Sequence, residues 1–280
     1  MAPQAIQLIH VNFKYSDADR WALNDLSMTV PRGIWLSLIG PNGSGKSTLI
    51  KIIDRLLIPQ AGQVRINGHV LSQTNVRRLR SRIGIVFQNP ASQFVGATVR
   101  DDLLFGLENY RVTPDQFNHR IKTALSVVGL DYDFQSKLLN SLSGGQKQRV
   151  ALADVLVLRP KVLILDEFTS MLDPASRNSI LNLVFQLQHR LRLTVIHVTH
   201  DLAETQIADR VAVIDTGKLI LTGSPKDVFQ HFKLMRRLHL ALPDNYRLLL
   251  ALAKRGWPVP GNDLSETKVV EWLKKLLPKI

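Results

Sequence analysis

The sequence predicts an α/β fold around a mostly parallel sheet, and three observations point to it. The runs IWLSLIG, VLILD and TVIHVT are almost continuously apolar, as expected of strands covered on both faces. Helical patterns separate them, the arrangement that parallel strands need for their crossovers. The first run passes directly into a glycine-rich turn and then the amphipathic LIKIIDRLL, the strand–loop–helix order of a phosphate-binding loop.

In chain order, apolar or alternating stretches at 6–11, 34–40, 64–66, 83–87, 162–166, 194–199 and 211–215 read as strands. DTGKL at 215–219 lies between two apolar runs and reads as a hairpin turn. Arg159 and Pro160 close a helix over 146–158. Ser224 to Asp227 reads as a capped helix start with proline in the first helical position, opening a tail of short amphipathic helices. PVPGND at 258–263 reads as a linker. SETKVVEWLKKLL after it carries acid near its start and lysines near its end, as a helix dipole favours; it is a packing or dimer-contact element, or alternatively a membrane-surface helix.

With 280 residues, 45% of them hydrophobic, the chain can bury a large core. Cysteine is absent, which excludes disulfides and thiolate metal sites and fits a reducing compartment. MAPQAIQLIH lacks a basic n-region and a long apolar core, so no secretory signal is expected. No window approaches the roughly 18 uninterrupted apolar residues of a membrane span. The net charge of +13 suits nucleic acid, an anionic membrane face or phosphorylated ligands. That excess is spread widely, and its densest cluster, NVRRLRSRIG at 75–84, reads as a solvated helix face. With no RNA-binding aromatic signature and no zinc-finger spacing, no nucleic-acid partner is expected.

The chemistry concentrates in three places. Gly40, Asn42, Gly43, Ser44, Gly45, Lys46, Ser47 and Thr48 fit the phosphate-cradling P-loop pattern. Its glycines let backbone N–H groups turn inward around phosphate oxygens. Lys46 then places a charge on the β and γ phosphates, and Ser47 offers a hydroxyl to Mg²⁺. The strand at 162–166 ends in Asp166, a further Mg²⁺ ligand, followed at once by Glu167, placed to orient and deprotonate an attacking water. ATP and Mg²⁺ are the expected ligands. The third place is NSLSGGQKQRV at 140–150, where Gly144 and Gly145 open a helix and imply a group approaching its backbone.

Leu142-Ser143-Gly144-Gly145-Gln146 resembles the signature of the ATP-binding cassette (ABC) family. The order of P-loop, signature, acidic strand and histidine matches that family across roughly 5–225. The resemblance implies a P-loop NTPase with an antiparallel β subdomain and a helical signature subdomain at about 89–158. Residues 1–225 would then form the nucleotide-binding domain and 226–280 a C-terminal helical domain. It also implies that two cassettes face each other, each clamping ATP between its own P-loop and its neighbour's Ser143, Gly144, Gly145 and Gln146. Four further residues carry over. Tyr15, in VNFKYS, would stack on adenine, and Gln88, ending IGIVFQ, would link Mg²⁺ and water to a docking surface. Asp173, in SMLDP, would touch the opposite subunit, and His200, in VIHVTHD, the γ-phosphate. The nearby His197 reads as a satisfied core residue.

IVFQNPASQFVGATVRDDLLFGLEN at 85–109, SMLDP and the helical tail are similar to the ATPases of energy-coupling factor (ECF) transporters, the first of their two paired types, with nickel and cobalt importer ATPases close by. Ala91-Ser92, Phe168 and Asp154 depart from that group's usual residues. The resemblance implies a second ATPase subunit, a paralogue more than an identical copy, a transmembrane coupling protein and a small membrane protein that captures a vitamin or metal ion. The chain would sit peripherally on the cytoplasmic face of the cell membrane. The segment from Gln88 to Glu108 is expected to dock on the coupling protein through Asp101, Asp102 and Glu108 beside Phe94, Val95, Leu103, Leu104 and Phe105. A soluble ABC ATPase acting on nucleic acid or ribosomes fits less well, because the stretch between Lys46 and Ser143 is too short for a coiled-coil insertion. With Glu167 and His200 both present, hydrolysis rather than mere binding is expected.

Overall fold

The computed structural model describes residues 3–259 and 266–276. Ten strands form two sheets: β1 (Gln4–Phe13), β2 (Leu23–Pro31), β3 (Trp35–Ile39), β4 (Ala61–Ile66), β5 (His69–Val70), β6 (Ile83–Val86), β7 (Val162–Asp166), β8 (Thr194–Val198), β9 (Arg210–Asp215) and β10 (Lys218–Gly223). The larger sheet has the order β10-β9-β3-β8-β7-β6, parallel except for the β9–β10 hairpin. The smaller is antiparallel, β2-β1-β4-β5. All residues of β3 and β8 are buried, which is why their sequences are mostly apolar rather than alternating, with Ser37, Thr194 and His197 as buried exceptions. The hairpin turn at 215–219 has both central residues left-handed, Thr216 at φ 46° and Gly217 at φ 75°, matching the twist of a two-residue connection.

Helices α1 (Lys46–Ile53), α2 (Val76–Arg80), α3 (Val99–Asn109), α4 (Phe117–Val127), α5 (Gly144–Leu156), α6 (Pro174–Leu191), α7 (Pro225–Gln230), α8 (Phe232–Arg237), α9 (Asp244–Lys254) and α10 (Glu266–Leu276) complete the fold. One core lies between the two sheets, where α1 supplies Leu49, Ile50, Ile52 and Ile53. A second joins α3, α4, α5 and α6 to Trp35, Leu163 and Val195 of the larger sheet. A third packs Val228, Phe229, Met235 and Tyr246 of the tail against Val211 and Val213. The start of the tail is as its sequence predicts: Ser224 and Asp227 form a reciprocal capping box with Pro225 first in the helix. In α2, Arg77 and Arg78 are exposed while Leu79 is buried, so the basic cluster is a solvated face. The linker at 258–263 falls largely outside the described residues.

Two strands go beyond the sequence reading. β5 is too short to leave a pattern. In β2 the buried positions Leu23, Leu26, Met28 and Val30 lose their period where Asp25 turns left-handed, φ 52°, opposite His10 at φ 50°. The register shifts there, and His10 Nδ1 meets Asp25 Oδ1 at 2.7 Å. A bulge adds a residue that alternation cannot absorb.

Candidate functional site

The order of the larger sheet assembles the site. β3 leads into the P-loop, β8 beside it into Thr199 and His200, β7 into Asp166 and Glu167, and β6 into Gln88. Leu38 and Asp166 are both register partners of Val198, so these strands end at one level. Ligands of open α/β sheets bind along that carboxyl edge. Glu167 N–H donates to Val198 O (3.0 Å), which stitches the acidic loop onto the strand carrying the histidine.

The P-loop is held by its own backbone. Gly40 has φ 154°, and a Cβ there would lie 2.0 Å from Ile214 O. Gly45, the left-handed residue before α1 at φ 108°, would put a Cβ 2.4 Å from Ala22 O. Both glycines are therefore demanded by the chain's own packing, which fixes the curve of the loop. Gly217 N–H donates to Ser44 O (2.9 Å), so the β9–β10 turn backs the loop. Lys46 is buried; its ammonium donates to Gly40 O (2.8 Å) and Pro41 O (2.9 Å). Burial lowers its pKa, while the charges of Glu167 and Asp166 oppose that shift. Ser47 is exposed beside it, and Asn42 and Gly43 are exposed at the loop's tip.

A cleft of about 380 Å³ opens over this loop, lined by residues 42–48, Tyr15, Arg20, Trp21, Glu167 and His200. Tyr15 stands at its side with its ring edge on Phe13 (5.0 Å) and its hydroxyl 3.2 Å from Thr48 Oγ1. Arg20 and Trp21 escaped sequence reasoning, because nothing in DADRWALND marks a cleft wall; Trp21 is 45% exposed. His200 Nε2 lies 2.5 Å from Glu167 Oε1. Glu167 itself is left-handed, φ 51°, a strained setting for a residue with a Cβ, and Ser170 grips its carbonyl through N–H (3.1 Å) and Oγ (2.7 Å). Asp166, behind it, has its carboxyl raised to about 6 by burial and by the charge of Glu167, against the pull of Lys46.

The signature lies at the exposed start of α5. Ser143 caps the helix: Gln146 N–H donates to its Oγ (3.3 Å), and Gln146 Oε1 accepts from Ser143 N–H (3.0 Å). The helix thus begins at Gly144 and ends at Leu156, two residues earlier at each end than its sequence suggests. Once Ser143 Oγ has accepted that bond its own hydrogen remains free to donate outward, as do the first N–H groups of the helix. A Cβ on Gly144 would come no nearer than 3.9 Å to Leu172, and one on Gly145 no nearer than 3.8 Å to Ser176. Unlike those of the P-loop, these two glycines are not required by the chain's own packing. Asp173 caps α6 nearby, accepting from Ser176 N–H (3.0 Å), and these bonds hold its carboxylate below the usual pKa.

Residues 23–170 match the family model described as "ABC transporter". This chain belongs to the ABC transporter family. Along nearly its whole length the cassette is similar to the energy-coupling factor transporter ATP-binding protein EcfA1 of Listeria monocytogenes, 44% identical over 99% of both chains. It is likewise 44% identical to the EcfA protein of Enterococcus faecium over 96% of each. The solved structure of cbiO1 from Clostridium perfringens, part of the ABC transporter complex cbiONQ, is 37% identical and covers 88% of this chain and 98% of its own, with TM-score 0.76. The cassette MJ0796, solved as a dimer with ADP and Pi, is 28% identical over 79% of this chain and 98% of its own, with TM-score 0.69. Membership makes the cassette an ATP-binding ATPase. No helix among its described residues is long and apolar enough to cross a membrane.

Within the cassette, the segment after Gln88 corrects one expectation. Asp102 is not part of a surface: it is 3% exposed, and its Oδ1 accepts from Val95 N–H (2.6 Å) and Gly96 N–H (2.8 Å). Asp101 is exposed but closes the capping box of α3 with Thr98. Leu103 is buried too, so Val95, Asp101, Phe105 and Glu108 remain as the accessible residues of the set, with Phe94 and Leu104 half-buried. Gln88 is exposed just beyond β6.

Asp154 on α5 faces Asp102. Its Oδ1 is sealed from solvent and unpartnered, although the residue as a whole is partly accessible. Burial, then the charge of Asp102, pushes its pKa well above the carboxylate range. The folded state therefore holds a proton that the unfolded state has lost, and stability falls as pH rises from about 4 towards the folded pKa. Asp154→Asn keeps a donor for Asp102 without the titration. Thermal melts should show it more stable at pH 8 by roughly 1–3 kcal/mol, with the gap closing on acidification below pH 4. A variant less stable at pH 8 would contradict this account.

His197 also departs from its reading. It is wholly buried, edge-on to Trp35 (5.7 Å) and Phe168 (6.3 Å), but neither ring nitrogen has a hydrogen-bond partner in the protein. Glu204 Oε2 approaches Nε2 to 3.4 Å, yet burial drives the imidazole pKa down to about 3, so this is a contact with a neutral ring and not an ion pair. Phe168 has become core, and its carbonyl accepts from Gln148 of α5, a tie between the signature helix and the acidic loop.

Proposed function

We propose that this chain binds MgATP and hydrolyses it at a seam between two cassettes, energising an ECF-type importer of a micronutrient. The observation that carries the reading is the convergence of Lys46, Glu167 and His200 on one cleft, with Asp166 close enough to act on the Lys46 charge, while Ser143, Gly144 and Gly145 are not part of that cleft's lining. A site so divided needs a second subunit. The relatives named as ECF transporter ATP-binding proteins, and the dimeric MJ0796, support that reading.

In the proposed reaction, water attacks the γ-phosphorus in line, the new P–O bond forming as the bond to the β,γ-bridging oxygen breaks and ADP leaves. Glu167 takes the water's proton, and His200, at 2.5 Å, fixes the carboxylate and reaches the γ-phosphate. Lys46 and the partner's Ser143 and Gly145 balance charge on the transferred group. Tyr15 stacks on adenine, and Asp173 meets the opposing cassette. The donor set suits Mg²⁺: no cluster of three or more His, Asp or Glu able to hold a metal exists among the described residues, but Ser47 and Asp166 offer hard oxygen beside the phosphate position. The Asp166–Glu167 repulsion gives that corner unbalanced negative charge which a divalent cation would relieve. Ser47, Asp166 and Gln88 would hold the ion, which when bound neutralises phosphate charge.

Lys46→Ala in the reassembled transporter should leave the subunits together and remove ATP-driven uptake of the substrate into vesicles; uptake at the wild-type rate would refute the proposal. Docking on the coupling protein at the cytoplasmic face rests on Val95, 66% exposed, and Phe105, 49% exposed, beside Glu108. Val95→Asp with Phe105→Asp should lower co-purification with the membrane subunits at least ~10-fold, the scale of losing apolar anchors from an interface. Undiminished co-purification would place docking elsewhere.

A further inference from the structure

Four segments that carry or flank the reacting residues meet at one buried side chain. Glu204 lies in the short 3-10 helix Leu202–Ile207 and is 6% exposed. Its Oε1 accepts from Thr169 Oγ1 (2.6 Å), two residues after Glu167. Its Oε2 accepts from Thr199 Oγ1 (2.5 Å), the residue before His200. Thr199 Oγ1 also accepts from Asp201 N–H (3.0 Å), so one hydroxyl ties Glu204 to the backbone just past the histidine. Arg177, one turn into the helix capped by Asp173, brings Nε to 3.6 Å from Glu204 Oε1 and Nη1 to 3.0 Å from Asp201 Oδ2. Thr169 and Thr199 are buried as well.

We infer that Glu204 is a positioning residue for hydrolysis: its carboxylate locks the Glu167 loop, the His200 loop and the start of α6 into one rigid unit. The inference rests on the reading of Glu167 and His200 as the reacting pair. Two hydroxyls each donating to a different oxygen need an acceptor at both, which only a carboxylate supplies in full. A buried carboxylate is kept there at a cost in desolvation, which raises its pKa and is offset only in part by two short hydrogen bonds and a guanidinium. The rigidity matters because Glu167 holds a strained left-handed backbone, which persists only where its surroundings over-determine it. Binding of ATP by the P-loop does not pass through this unit, since Lys46 is anchored on Gly40 and Pro41.

The test uses the full chain in its assembled complex and separates turnover from binding. Glu204→Ala should lower kcat about 100-fold, the scale of a misplacement near 1 Å, while affinity for a fluorescent ATP analogue changes little. Glu204→Gln retains one acceptor and an amide that a rotated hydroxyl can meet, so it should recover much of the loss. Thr169→Val with Thr199→Val should reproduce Glu204→Ala and serves if the alanine variant does not fold. Wild-type kcat in Glu204→Ala or in the double valine variant would overturn the inference, as would a fall in nucleotide affinity matching the fall in kcat. Glu167→Gln is measured alongside. If it turns over, the reading of the reacting pair is at fault; if it is silent while Glu204→Ala runs at full rate, only the role of Glu204 is.

Discussion

Glu167→Gln should bind ATP as tightly as the wild type and hydrolyse it about 10²–10⁴-fold more slowly, the usual contribution of a positioned general base. Glutamine matches glutamate in shape, so the left-handed backbone, the Ser170 grip and the contact with His200 can all persist. What is lost is the basic oxygen. Single-turnover hydrolysis measured against equilibrium ATP binding checks the claim. A variant that retains most of its rate would assign the proton to another group, and Asp166 would be the nearest candidate.

Gly145→Asp is the second large effect and the more diagnostic. Nothing inside the chain forbids the side chain, since the nearest atom to a new Cβ is Ser176 Oγ at 3.8 Å. Helix propensity improves when a non-glycine replaces glycine, and an acid in the first turn favours the helix dipole. The melting temperature should therefore hold or rise. Hydrolysis should nevertheless fall about 10²–10³-fold, as when a donor to developing negative charge is removed, because a carboxylate then faces the γ-phosphate held by the other cassette. A thermal melt and an ATPase assay on the same preparation decide it. Gain of stability with full activity would mean that no phosphate approaches this helix end.

The contrast between the two pairs of glycines shows what was legible in the sequence. Gly40 and Gly45 belong to a local pattern whose structure is equally local, so strand, loop and helix could all be placed from one stretch. Asp166, Glu167 and His200 follow apolar strands that the fold brings to one edge, and their order along the chain sufficed. Asp102 reads as solvated because an acid at the start of a helix pattern looks so; only the fold shows the Val95–Gly96 backbone turning back to donate to it. Glu204 left no sequence signal at all. Its partners at 169, 177 and 199 are ordinary residue types separated by strand and helix, and they meet only in the folded chain. β2 was lost to a bulge, since its alternation breaks where Asp25 reverses the backbone.

The Asp102–Asp154 pair and the Phe168–Gln148 bond together bear on coupling. Both join α5, which begins with the signature, to segments that lead towards Gln88 or Glu167. A displacement of the segment proposed to dock on the coupling protein would reach the signature through packed, hydrogen-bonded protein rather than through a loose loop. Closure of two such cassettes on ATP would then be both the condition for hydrolysis and the movement delivered to the membrane partner.

The most direct measurement is a cryo-EM map of the assembled complex carrying Glu167→Gln and trapped with ATP. Ser143 Oγ and Gly145 N–H of one cassette should then lie within about 3 Å of γ-phosphate oxygens cradled by Lys46 of the other. A map in which ATP occupies the P-loop cleft while Ser143 and Gly145 of both subunits stand in open solvent would contradict it.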